Sequence, residues 1–92
     1  MADCKYQRRA DVMFTTVSDE VLALDVQQGQ CFGMNAVASE VWTLLAEPRT
    51  LDEVCTSLSA RFEVTPEQCR SEIGRLLEQM RDEKLIEVQP VS

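Results

Sequence analysis

The stretch GQCFGMNAVASEVW, residues 29–42, changes its conformational signal twice. Gly29 reads as a turn. Cys31-Phe32-Gly33-Met34 reads as a short extended run, and Asn35 then opens an apolar stretch at helical spacing that ends near Trp42 and Leu45. A strand this short, bracketed by glycines and set directly before a helix, is read as an open sheet edge. Its unpaired N–H and C=O groups would be free to accept another extended segment.

Upstream of this stretch the chain is β-rich. Val12-Met13-Phe14-Thr15-Thr16-Val17 is β-branched and aromatic, and Ser18-Asp19-Glu20 supplies turn residues. The next run alternates, with Leu22, Leu24 and Val26 on one face and Ala23 and Asp25 on the other, which predicts a half-buried strand. Gln27-Gln28-Gly29-Gln30 turns the chain again, and Phe32 and Met34 then share a face of the third strand. Three strands joined by tight turns form an antiparallel meander. The first ten residues are polar and mixed in charge and are read as a flexible arm, with residues 11–92 as one domain.

Downstream the period becomes helical. Val37, Ala38, Val41, Trp42, Leu44 and Leu45 lie on one face behind Asn35 as N-cap, and Glu47-Pro48-Arg49 stops the helix. Thr50-Leu51-Asp52-Glu53 fits a capping box, in which a threonine side chain and a glutamate three residues on each satisfy a free backbone N–H. The second helix then buries Leu51, Val54, Cys55, Leu58 and Phe62. Thr65-Pro66-Glu67-Gln68 repeats the signal, with proline at the first helical position. The third helix, running to about Lys84, buries Cys69, Ile73, Leu76, Leu77 and Met80, and Leu85-Ile86-Glu87-Val88 follows as an extended tail. Gly74 within it suggests either a close approach to the backbone or a tolerated accident. Strands segregated from helices give an α+β fold. A tight helix pair beside a small sheet gives a winged helix-turn-helix: a three-stranded antiparallel sheet followed by three helices.

Composition narrows the function. The 92 residues carry a formal net charge of −7 and no histidine. A winged helix usually suggests DNA, but phosphate neutralisation supplies most nonspecific DNA affinity, and this chain has no basic face to provide it. The third helix mixes Glu67, Glu72, Glu78, Asp82 and Glu83 with Arg70, Arg75, Arg81 and Lys84, as a solvated face would. Without histidine there is no Cys–His or Ser–His nucleophile pair, and no carboxylate pair stands isolated in apolar surroundings, so an enzyme is not expected. Cys4, Cys31, Cys55 and Cys69 form no C-x2-C pair, which argues against a metal site and for reduced structural thiols. No apolar run is long enough to span a membrane, the N-terminus lacks the apolar segment of a secretory signal, and a cytoplasmic location is expected. Neither nucleic acid nor membrane is an expected partner. Phe32 and Met34 fit a core role as well as an exposed one, whereas Trp42 reads as core.

The string CFGMN…ASEVWTLL…RTLDEVCTSLSARFEVTPEQCRSEIGRLLEQMRDEKLIEV resembles the PqqD family, the RiPP recognition element fold, from about Val12 to Val88. The pieces that carry the likeness are Phe32-Gly33-Met34-Asn35, Val41-Trp42-Thr43-Leu44-Leu45, Arg49-Thr50-Leu51-Asp52-Glu53-Val54 and Leu85-Ile86. The region from Asn35 to Trp42 and the VTPEQC segment are most similar to the stand-alone members from lasso-peptide clusters. Lys84 departs from the family, where glycine is frequent, and Met34 replaces a commoner leucine.

The resemblance implies a non-catalytic adaptor without cofactor that binds the leader of a ribosomally made precursor as an added antiparallel strand. The implied binding residues are Gln30, Cys31, Phe32, Gly33 and Met34 on the strand, with Cys69, Arg70, Ile73, Leu76 and Met80 from the third helix. Arg70 and Arg75 would meet acidic leader side chains. The implied partners are the precursor peptide and a separate transglutaminase-like cysteine protease, with the macrocyclase as a further candidate. Two alternatives remain: an adaptor for a radical-SAM or other RiPP-modifying enzyme, and an acidic winged-helix module that binds protein helices. Proline lacks the N–H that a ladder bond requires, so Cys31→Pro and Gly33→Pro test the edge, with one expected to be much more damaging than the other.

Overall fold

A computed structural model of the chain describes residues 4–90. The expected meander is present as β2 (Met13–Val17), β3 (Glu20–Asp25) and β4 (Gln30–Gly33), ordered β2-β3-β4 and antiparallel throughout. The β2–β3 hairpin closes on two residues, Ser18 and Asp19, both with positive φ (50° and 69°). That turn matches the natural twist of the flanking strands, and short polar side chains tolerate it best. The β3–β4 loop turns on Gly29, at φ 67°, while the Asp25 carboxylate accepts the N–H groups of Gln27 and Gln28.

The helices follow as α1 (Ala36–Leu44), α2 (Leu51–Arg61) and α3 (Pro66–Asp82). Each starts where its capping residue predicts. Asn35 Oδ1 accepts from Ala38 N at 2.8 Å, and Thr50 with Glu53 forms both halves of the capping box. Thr65 accepts from Gln68 N at 3.2 Å, but the Gln68 side chain meets the Thr65 hydroxyl instead of its backbone N–H, so that box is half formed. Helix α3 ends two residues earlier than expected. Lys84 adopts φ 62°, Lys84 N donates to Arg81 O, and Leu85 N donates to Met80 O. This is the Schellman arrangement that glycine usually closes, here closed by lysine.

The N-terminal arm is the main correction. Cys4–Arg8 form a strand, β1, in a second sheet ordered β5-β1-β6, where β5 is Arg49–Thr50 and β6 is Ile86–Pro90. Strand β1 pairs with β6 from Cys4↔Pro90 to Arg8↔Ile86, so the tail expected at 85–88 is a paired strand. Arg8 N also donates to Leu45 O at 3.0 Å, and the Arg8 guanidinium lies over the Phe14 ring, 4.6 Å from its centroid. Backbone pairing and half-buried polar stems hold this segment, and neither produces an apolar alternation in the text. Residues 1–3 of the expected arm lie outside the described residues.

The core gathers one face of β2-β3-β4 against the three helices. Ala23 of β3, Val41 and Trp42 of α1, Leu45 at the C-cap of α1, Val54 and Leu58 of α2, and Leu77 of α3 are its most buried members, and Val21 of β3 lies with them. Phe14 stands edge-on to Trp42 with ring centroids 5.6 Å apart. The buried Trp42 Nε1–H has no acceptor among the described residues, a cost of about 1–3 kcal/mol that burial of the ring outweighs. The leucine face of β3 points the other way: Leu22 and Leu24 are each 40% exposed and Val26 61%. Alternation located the strand, but the smaller residues face the core because the helices pack close on that side. Gly74 is approached by nothing, since a Cβ there would meet no atom within 4 Å.

Candidate functional site

Strands β2 and β4 both end their sheet, so both offer an open edge. Strand β4 has a helix-walled groove beside it. A cavity of about 370 Å³ is lined by Cys31, Phe32, Gly33 and Met34 from the strand, Asn35 and Ala38 from the start of α1, Leu76, Gln79, Met80 and Glu83 from α3, and Leu85. Leu76, Gln79, Met80 and Glu83 recur at helical i, i+3, i+4, i+7 spacing, so one stripe of α3 forms the far wall.

The direction of each β4 backbone group follows from one bond. Met34 N donates to Val21 O at 2.9 Å, and Val21 and Met34 continue the register Leu22↔Gly33, Ala23↔Phe32, Leu24↔Cys31. In an antiparallel pair, inward-bonded residues alternate with residues whose N–H and C=O point away. Met34 and Phe32 therefore bond inward, and Gly33 and Cys31 both present their N–H and C=O to the open edge. The expectation that one of Cys31→Pro and Gly33→Pro would be much more damaging than the other loses its ground, because residues two apart share a side and both N–H groups face outward.

Ser39 completes the anchor. Val21 N, which would ordinarily donate to Met34 O, donates instead to Ser39 Oγ at 2.9 Å, and Ser39 Oγ donates to Met34 O at 3.2 Å. Ser39 is the buried polar residue of the core, 5% exposed, and its hydroxyl is inserted between β3 and the end of β4. Sequence reasoning missed it, because a serine on a helix face carries no signal that a strand end needs a bridging hydroxyl.

The expected site residues separate into two groups. Cys31, Phe32, Gly33, Met34, Leu76 and Met80 are brought together around the groove. Gln30 pairs with Asp25 at the start of β4 and does not line it. Cys69 and Ile73 are buried in the core, with Cys69 Sγ 4.0 Å from Cys55 O at the α2–α3 contact. Arg70 is ion-paired with Asp52 beside a separate depression lined by Cys55, Thr56, Ser59 and Pro66. Arg75 is exposed on α3 and does not line the groove. Asn35, Ala38, Gln79, Glu83 and Leu85 line the groove without having been expected as site residues. The only charged side chain of the lining is Glu83, so the groove itself presents an acid and not the expected arginines.

Chemically, the site offers two outward N–H and C=O pairs spaced for an extended chain, and a mostly apolar trough for its alternate side chains. Among the described residues, no helix is long and apolar enough to cross a membrane.

Comparison with known proteins gives a family and two solved structures. The family model for coenzyme PQQ synthesis protein D (PqqD) matches residues 20–86. The structure described as TbiB1 in complex with the TbiA(beta) leader peptide is 27% identical, has a TM-score of 0.81, and is matched over 88% of this chain and 94% of that one. A lasso peptide synthetase B1 complexed with the leader peptide is 16% identical with a TM-score of 0.79, over 89% of this chain and 96% of that one, and shares the fold. No curated protein sequence gives a significant match.

Proposed function

The chain belongs to the PqqD family, and from that premise we propose that it is a leader-peptide-binding adaptor of lasso-peptide maturation. The leader segment of a precursor would add as an antiparallel strand to β4, bonding to the outward N–H and C=O groups of Cys31 and Gly33. Its inward side chains would enter the trough between Phe32 and the Leu76–Met80 stripe of α3. This is strand addition at a sheet edge, in which backbone bonds supply affinity and flanking pockets read alternate side chains.

The observation that carries the reading is the coincidence of an open, hydrogen-bond-competent edge with a helix-walled groove on the same strand. Further support is that the 27% identical structure is described as a complex with a leader peptide. The adaptor works without catalysis and in the cytoplasm. It hands the bound precursor to a separate transglutaminase-like cysteine protease and to the macrocyclase. Recognition ahead of a radical-SAM enzyme would use the same edge, and the enzymes encoded beside this chain distinguish the two.

Calorimetric titration of the chain with the leader of its own precursor tests the reading. Binding in the wild type is expected, with Cys31→Pro and Gly33→Pro each weakening it by roughly tenfold or more, because each removes an outward N–H. The melting temperature should change little in either variant, since neither N–H bonds within the fold. Near-wild-type leader affinity in both proline variants would remove the edge from the mechanism.

A further inference from the structure

The open edge has two sides, and only one faces α3. Directly opposed residues in an antiparallel pair share a face, and successive residues alternate. A peptide residue paired with Phe32 therefore points its side chain into the α3 trough, whereas one paired with Gly33 points to the outer face of the sheet. At the end of that face, beside the β2–β3 turn, lies a second cavity, of about 530 Å³, whose lining includes Val17, Leu22 and Gly33 together with the polar Ser18, Glu20 and Asn35. Gly33 and Met34 also line the α3 trough, so the two cavities meet at the same stretch of β4.

Gly33 leaves this space open. It pairs with Leu22, which pairs in turn with Thr15, so a side chain at position 33 would stand between Leu22 and any strand added outside β4. With only hydrogen there, a large side chain from the added strand can lie across the glycine backbone and reach Leu22, as aromatic residues do over edge glycines. The outer face around it is apolar for a solvent-facing sheet: Met13, Val17, Leu22 and Leu24 are all exposed on it. Glu20 is the charged member of the cavity lining and disfavours a carboxylate.

We propose that the depression over Gly33 is a specificity subsite for one bulky apolar side chain of the bound leader, on the face of the peptide strand opposite the residues that enter the α3 trough. The inference rests on the adaptor reading and deepens it. The recognised leader segment is then apolar on both faces, with the outer-face anchor and the trough-facing residues separated by odd numbers of positions.

The backbone tolerates a side chain at Gly33: φ is outside the left-handed region, and an added Cβ would lie in ordinary contact, 3.7 Å from Leu22 Cδ2. Gly33→Val keeps the N–H and fills the subsite. Calorimetry with the leader peptide should show binding weakened roughly tenfold or more, with an unchanged melting temperature. An alanine scan of the leader against wild type and Gly33→Val should then find one large apolar residue whose truncation weakens wild-type binding but not binding to the variant. Residues coupled in the same way to Leu76→Ala should lie an odd number of positions from it. Leu22→Ala, which leaves the ladder intact, should weaken binding through the same leader residue. No leader binding by the wild type overturns the adaptor reading and the subsite with it. Wild-type binding with unchanged affinity in Gly33→Val and Leu22→Ala overturns the subsite alone, as does an even separation between the two sets of coupled residues.

Discussion

Ser39→Ala tests the anchor on which the geometry of β4 depends. The substitution removes one oxygen that accepts from Val21 N at 2.9 Å and donates to Met34 O at 3.2 Å, in a site 5% exposed. Two buried backbone groups lose their partner at once, each at about 1–3 kcal/mol. Alanine returns up to roughly 0.5 kcal/mol of helix propensity within α1. The expected net loss is therefore about 1.5–6 kcal/mol, and its lower end alone would drop the melting temperature by about 6–12 °C in a domain of this size. Urea melts read by Trp42 fluorescence measure it directly, because this single, fully buried tryptophan sits on the same helix. Thr43→Ala is the control: its hydroxyl bonds only the Ser39 carbonyl behind it in α1, and it should cost well under about 1 kcal/mol. Leader affinity in Ser39→Ala should also fall, since the released end of β4 must be reordered on binding. A stability within about 0.5 kcal/mol of wild type would mean that the strands close directly without the hydroxyl, and the bridging role would be refuted.

Gly74→Ala should raise stability by about 0.5–1 kcal/mol, because it sits inside α3 and a Cβ there meets nothing within 4 Å; a destabilised variant in thermal melts would reveal a constraint at that backbone. The cysteines should divide by alkylation rate in the folded protein, with exposed Cys4 and Cys31 fast and buried Cys55 and Cys69 slow. Burial, with the hydrogen bond that the Cys55 thiol donates to Cys69 second, pushes that thiol up to about 12 from its ordinary 9.0. A raised folded pKa stabilises the protein fully below the unfolded value and is lost as pH rises, so Cys55→Ala should flatten the fall in melting temperature between pH 9 and about 12. An unchanged slope in that variant would assign the alkaline loss to other groups.

The sequence by itself determined every element whose stabilisation is local. Asn35, Thr50 and Thr65 announced the three helix starts, because a cap acts within three residues of itself. Ser18-Asp19 and Gly29 announced the two hairpins, because positive φ selects its residues. Absence of histidine and the acidic balance were readable directly and turned the reading away from nucleophilic catalysis and DNA. Resemblance over short motifs then selected β4 among the possible edges.

What required tertiary structure was everything set by partners distant in the chain. Strand β1 exists because β6 lies beside it, with Cys4 opposite Pro90, and no local pattern in Cys-Lys-Tyr-Gln-Arg encodes that pairing. Alternation in β3 showed two faces but not which of them the helices cover, so the leucines could not be known to face outward. Helical periodicity put Cys69, Ile73, Leu76 and Met80 on one side of α3, yet that side divides between core and groove. Leu76 and Met80 reach the groove, while Cys69 and Ile73 are spent on the core, because α2 packs against the N-terminal half of the helix and β4 lies beside the C-terminal half. Ser39 became a bridge only when α1 came down on the end of two strands. A side chain's chemistry is written in the sequence; its neighbours are decided by how the elements pack.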